Sequence, residues 1–123
     1  MTIEQCFKGL SDRSRLRILN LLLGGELCGC DIQFVLGVSQ SNVSRHLGYL
    51  KRAGLVSDRR KGARIYYALS ERTNAGAPLL LNYLRREFAR EKTFVADLRT
   101  LRAAVRDGDC SVSEAGRTST GSR

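Results

Sequence analysis

Apolar residues recur along the first half of the chain at helical spacing. Ile3, Cys6, Phe7 and Leu10 share one face of a short helix. Ser11-Asp12 offers a cap, and Leu16, Leu19, Leu22 and Leu23 predict a second helix that Gly24-Gly25 stops. Ile32, Val35 and Leu36 mark a third, ending at Gly37. Two residues later Ser39 opens a fourth, with Val43, Leu47 and Leu50 on its apolar side and Gly54 after it. Two helices joined across a tight glycine turn outline a helix-turn-helix.

After Gly54 the rhythm changes. Leu55-Val56-Ser57-Asp58 and Ile65-Tyr66-Tyr67-Ala68-Leu69 are short β-prone stretches around Arg59-Arg60-Lys61-Gly62-Ala63, which predicts a hairpin with a basic tip, a wing. From Pro78 a long helix follows, and its Phe94, Leu98, Leu101 and Val105 form a seam suited to pairing with another helix. The expected fold is mainly α with a small β-hairpin wing, in the order α-α-α-α-β-β-α. The folded domain is expected over 1–106. The stretch 107–123, rich in Gly, Ser, Thr and Asp, is expected to be a flexible tail.

Composition narrows the function. The chain has 123 residues, with 21 basic side chains against 12 acidic and a formal charge of +9. No apolar run reaches the roughly 18 residues of a membrane span, and Met1-Thr2-Ile3-Glu4-Gln5 lacks a signal-peptide layout. Four cysteines without a secretory signal point to a reducing cytoplasm. The charge is concentrated: Arg45, Lys51, Arg52, Arg59, Arg60, Lys61 and Arg64 stand against Asp58 alone within 45–64. Such a block on a helix-turn-helix with a wing calls for a polyanion, double-stranded DNA, rather than a membrane.

With about 100° per residue from Val43, Leu47 and Leu50 fall within about 40° of it and face the core. Ser41, Ser44, Arg45, Gly48 and Arg52 fall on the far side, a narrow polar face able to enter a major groove. The expected DNA contacts are Gln40, Ser41, Asn42, Ser44, Arg45, His46 and Arg52 on the helix. Arg59, Arg60, Lys61 and Arg64 on the wing add backbone contacts that position without specifying. Arg45 suits a guanine edge. His46, the only histidine, sits about 60° from the core axis, at the boundary.

Cys28-Gly29-Cys30-Asp31 has the shape of a capping box, but with a thiol where a hydroxyl or carboxylate belongs. A site that breaks a local rule is a candidate for function. A helix N-terminus lowers a thiol pKa and favours the thiolate that binds soft ions, while Glu26 and Asp31 oppose this.

Leu10-Ser11-Asp12-Arg13-Ser14-Arg15-Leu16-Arg17-Ile18-Leu19, Gly25-Glu26-Leu27-Cys28-Gly29-Cys30-Asp31-Ile32, Ser39-Gln40-Ser41-Asn42-Val43-Ser44-Arg45-His46-Leu47 and Gly54-Leu55-Val56 resemble the arsenic-responsive branch of the ArsR/SmtB winged-helix repressors, over about residues 4 to 70. The resemblance implies a homodimer on an inverted-repeat operator, dimerised through the first and last helices and released by As(III) or Sb(III). It places the first two sulfur ligands on Cys28 and Cys30, while the third falls on Gln33, which has no thiolate. Cys110 in the tail, Cys6 or no further thiol then completes the site. Residues two apart on a regular helix point about 200° apart, so Cys28 must lie outside the helix or the first turn must distort. A thiol-redox or persulfide sensor and a cadmium or lead sensor remain alternatives on the same scaffold. Reductase chemistry would need a phosphate-cradling loop or a Cys-x-x-Cys turn beside a βαβ unit, and neither is present.

Overall fold

The computed structural model describes residues 2–70 and 77–107. Within them run α1 (Ile3–Leu10), α2 (Arg13–Leu22), β1 (Leu27–Cys28), α3 (Gly29–Leu36), α4 (Gln40–Arg52), β2 (Val56–Lys61), β3 (Arg64–Leu69), α5 (Ala77–Phe88) and α6 (Lys92–Asp107).

Polar side chains set the helix starts. Thr2 and Gln5 close a reciprocal capping box at α1. Asp12 Oδ1 accepts the Arg15 N–H at 3.1 Å ahead of α2, and Ser39 Oγ accepts the Asn42 N–H at 3.2 Å ahead of α4. Removing such a cap typically costs about 0.5–2 kcal/mol. Gly37 ends α3 in the left-handed region (φ 69°), a conformation cheap only for glycine, and so turns the chain into α4 within two residues.

The apolar faces read from the sequence meet in one interior. Ile18, Leu19, Ile32, Leu47 and Leu50 are at most 2% exposed. Each such side chain contributes about 1.5–3 kcal/mol of burial. Across the core, the Arg17 guanidinium donates twice to Asp97, at 2.7 and 2.9 Å, and buried Asn20 donates to the Phe94 carbonyl at 3.0 Å. These contacts fasten α2 to α6.

The winged architecture stands, with three refinements. The single C-terminal helix is two, α5 and α6. Leu80, Leu84 and Phe88 share a face, but Phe94 comes six residues after Phe88, about 240° further round a continuous helix. Breaking the helix at 89–91 lets both rings turn inward, with centroids 4.4 Å apart. The α6 seam is accordingly engaged within the chain: Phe94 is buried, and Leu98 and Leu101 pack on the same core. The second refinement is the two-residue strand β1. It joins the hairpin in the order β1-β3-β2, with Leu27 opposite Tyr67 and Cys28 opposite Tyr66. The third is that Arg59, Arg60 and Lys61 belong to β2 rather than to the tip. Lys61 pairs with Arg64, and Gly62 (φ 63°) and Ala63 make the turn. Asp107 ends α6; the rest of the tail, Cys110 included, lies outside the described residues.

Candidate nucleic-acid interface and thiol pair

On α4, Val43, Leu47 and Leu50 are buried while Gln40, Ser41, Ser44, Arg45 and Arg52 are exposed and Asn42 is half-buried. Arg45 donates to Asn42 Oδ1 at 3.1 Å, which orients its guanidinium along the helix surface. A Cβ placed on Gly48 would lie 3.3 Å from Arg52 Nη1, so the glycine makes room for that side chain to fold back over the helix. This face carries donors and few bulky groups, as groove entry requires.

His46 is corrected. It is only 5% exposed, and its Nδ1 lies 3.9 Å from Asp12 Oδ1 with no hydrogen-bond partner among the described residues. It therefore sits at the junction of α4 with the α2 cap, away from the exposed polar face. Burial, with help from Arg45 and Arg15 and against Asp12, holds its pKa below the ordinary value. Burial alone would raise Asp12; the Arg15 backbone N–H, His46 and the Arg15 charge together hold it below the usual carboxylate range.

The wing residues are not equivalent. Arg60, Lys61 and Arg64 are exposed. Arg59 is exposed as well, and it grips Glu26 through two hydrogen bonds, 2.7 and 2.6 Å, and sits over the Tyr66 ring at 5.0 Å. The Arg59 hydrogen bonds pull Glu26 below the ordinary glutamate range. Lys51 is likewise paired, with Asp58 at 2.9 Å. Part of the basic block is thus held internally. Glu26 had no signal in the sequence, because its partner is 33 residues away.

The thiol pair forms where β1 becomes α3. Cys28 is the N-cap, with extended backbone (φ −68°, ψ 149°), so it lies outside the helix. Its Sγ accepts the Cys30 N–H at 3.3 Å, and Asp31, 1% exposed, accepts the Cys28 N–H at 3.0 Å. This extended cap brings the two sulfurs together: the Cys30 thiol donates to Cys28 Sγ at 2.6 Å. The regular-helix obstacle is thereby removed without distorting the first turn. A Cβ on the intervening Gly29 would lie 3.3 Å from the Tyr67 ring, so packing against β3 favours glycine there.

The expectation that the helix N-terminus favours the thiolate reverses at Cys30. Burial, the hydrogen bond to Cys28 and the Asp31 charge outweigh Arg64 and push this thiol up to about 12. Cys6 is buried in the core under α1, and burial raises its thiol too. Among the described residues no cluster of three metal-ligating side chains forms.

Beside the sulfurs opens a cleft of about 330 Å³, lined by Cys28 and Cys30 and also by Gln40, Ser44 and Arg64. Gln33 lines it as well. The thiol pair and part of the reading face share one opening.

Residues 12–58 match the family described as bacterial regulatory protein, arsR family. The arsenical resistance operon repressor of Escherichia coli (strain K12) is 43% identical over 79 residues, covering 63% of this chain and 68% of the relative. The chain belongs to the ArsR family. The transcriptional repressor SdpR of Bacillus subtilis (strain 168) is 45% identical over 68 residues, 55% of this chain and 76% of that one. A cadmium resistance regulatory protein, a CadC homologue from Staphylococcus aureus, is 39% identical over 72 residues, 58% and 60% of the two chains. The homodimeric winged helix-turn-helix domain of Mb0332 from Mycobacterium bovis superposes with a TM-score of 0.60 at 30% identity, covering 69% of this chain and 76% of that one. This ArsR-family chain is therefore a DNA-binding transcriptional repressor and not an enzyme. No helix among the described residues is long and apolar enough to cross a membrane.

Proposed function

We propose that this repressor acts in the cytoplasm as a homodimer on an inverted-repeat operator, and lets go when trivalent arsenic or antimony is captured by Cys28, Cys30 and Cys110. The observation that carries this reading is the convergence of two thiols, 2.6 Å apart, at the head of the helix that leads into the reading helix. A soft ion prefers sulfur over the oxygen donors around it. Cys28 and Cys30 would hold it, and Cys110 would supply the third sulfur. Only Gly37, Val38 and Ser39 separate α3 from α4, so fixing the first turn of α3 acts directly on the reading helix. A coupling of about 1–3 kcal/mol is typical of linked sites.

Reading contacts fall to Ser41, Asn42, Arg45 and Arg52, and phosphate contacts to Gln40, Ser44, Arg60, Lys61 and Arg64, with Arg59 held back by Glu26. For the dimer, the supporting feature is the apolar surface of α1 and α5: Ile3, Phe7, Leu79 and Tyr83 are each more than half exposed. Apolar surface of that kind marks an interface. Because the α6 seam faces its own core, pairing is assigned to α1 and α5.

Free-thiol counting on reduced protein, with and without trivalent arsenic, tests the inducer. Protection of three thiols, falling to two in Cys110→Ser, is expected; protection of none overturns the reading. The cadmium-resistance relative supports a second reading, a cadmium or lead sensor, because thiolates alone do not choose among soft ions. Release from DNA by cadmium at lower concentration than by arsenic would put it first. The thiol contact also suits a redox or persulfide sensor, which peroxide-driven loss of both thiols without metalloid protection would favour.

A further inference from the structure

The cleft beside the thiol pair is bounded by three elements that serve DNA binding and effector capture at once. The first turn of α3 supplies Cys28 and Cys30. The first two turns of α4 supply Gln40 and Ser44, both exposed and both on the reading face. The wing supplies Arg64, from the start of β3. Cys28 is buried in its floor, whereas Cys30 is exposed at its opening. A second open groove continues toward the C-terminal end of α4, where Ser44, Gly48, Lys51 and Arg52 face Asp58 on β2. Ser44 borders both. A duplex read by this face of α4 and straddled by the wing must lay one backbone along that line.

We propose that the operator's sugar–phosphate backbone closes over the cleft, so that DNA and any ligand of the Cys28–Cys30 pair occupy one place and exclude each other directly. Gln40 and Ser44 donate to phosphate oxygens at the rim, and Arg64 supplies the neutralising charge on the wing side. Phosphate seated there covers the Cys30 thiol. An ion, substituent or oxidised sulfur at Cys30 stands where the backbone must pass. Mutual exclusion of this kind adds to strain transmitted through α3 and needs no movement of α4. The inference rests on the DNA-binding role of α4 and the wing, and on no particular inducer.

The test uses the full native chain and iodoacetamide, with alkylation of each cysteine followed by mass-spectrometric peptide mapping. The duplex is one selected from a randomised pool for tight binding. Saturating duplex is expected to slow alkylation of Cys30 at least tenfold while leaving Cys6, which lies in the core under α1 and lines no part of the cleft, at its own rate. In the converse arm, chain alkylated at Cys30 before mixing is expected to bind the same duplex at least tenfold more weakly. An unchanged Cys30 rate on DNA overturns the proposal. So does parallel slowing of Cys6 and Cys30, which would mean general tightening and not cover. Failure of arsenic to protect the thiols would remove the inducer reading and leave this result standing, because the probe is iodoacetamide.

Discussion

The starts of α3 and α4 are eleven residues apart, both open on the same cleft, and both are capped by a side chain that accepts a backbone N–H. At α4 the cap is Ser39, the residue type that local physics prefers, and function lies in the polar face the helix then presents. At α3 the cap is Cys28, a poorer acceptor, rescued by Asp31 accepting in return. There the cap itself is the candidate functional group. Where a helix start obeys the local rule its chemistry is carried elsewhere; where it breaks the rule, the exception is the residue on which the proposed effector site rests.

Replacing the exceptional cap by the ordinary one is the strongest way to break this contrast. Cys28→Ser should abolish metalloid-driven release, removing a linkage of roughly 5- to 150-fold in operator affinity. The same change installs a better cap at α3 and should raise stability by about 0.5–1 kcal/mol, read as a higher urea midpoint. Lost response together with gained stability would show that Cys28 is kept for its sulfur. Retained release would return Cys28 to the rank of an ordinary cap.

On the α4 side the largest effect belongs to the exposed face. Arg45→Ala is expected to cost about 1–3 kcal/mol in operator binding, with relaxed preference at one base position. Binding measured across single-base operator variants checks this. A uniform loss at every position would make Arg45 a phosphate contact instead.

Much of this was legible before the structure. Periodicity locates α1 to α4, because each helix buries one stripe, and short polar residues mark the starts of α2 and α4. The capping box at Cys28 was legible for the same reason. Its consequence, sulfurs turned toward each other, depended on Cys28 taking extended backbone outside the helix, which an angular wheel allows but does not choose. The break between α5 and α6 is carried by the phase slip between Phe88 and Phe94, which the apolar seam from Phe94 onward does not reveal. His46 shows the wheel's limit: 60° from the core axis is the boundary for an isolated helix, but the α2 cap covers that boundary here. The ion pairs Glu26–Arg59 and Arg17–Asp97 join residues far apart in sequence, and local patterning holds no trace of them.

His46 yields a pH effect smaller than either substitution. Its folded pKa is depressed chiefly by burial, so the folded chain binds fewer protons than the unfolded one below about pH 6.5. Its contribution to stability is therefore complete above about pH 6.5 and is lost as pH falls from there through the depressed folded value. Asp12, also depressed, contributes in the same direction but only near and below the ordinary aspartate range. Urea midpoints compared at pH 7.5 and 5.5 should fall in the native chain and fall less in His46→Gln. Equal losses would assign the acid sensitivity to other groups.

The smallest expected effect returns to the α3 side of the cleft, where charge is held and not presented. Arg59 and Lys61 are both exposed on β2, but Arg59 is gripped by Glu26, two residues before Cys28. Each phosphate neutralised on duplex DNA adds about 0.9 to the slope of log affinity against log salt. Lys61→Ala should flatten that slope by about one, while Arg59→Ala should barely move it, because its charge already has a carboxylate partner. Glu26→Gln, which keeps the shape and removes the charge, should release Arg59 to the backbone and steepen the slope by about one, with a few-fold tighter binding at low salt. If Arg59→Ala and Lys61→Ala flatten the slope equally, DNA draws Arg59 off Glu26 on binding. The root of the wing would then respond to the operator as directly as the reading helix does, and the contrast between the two sides of the cleft would belong to the free protein alone.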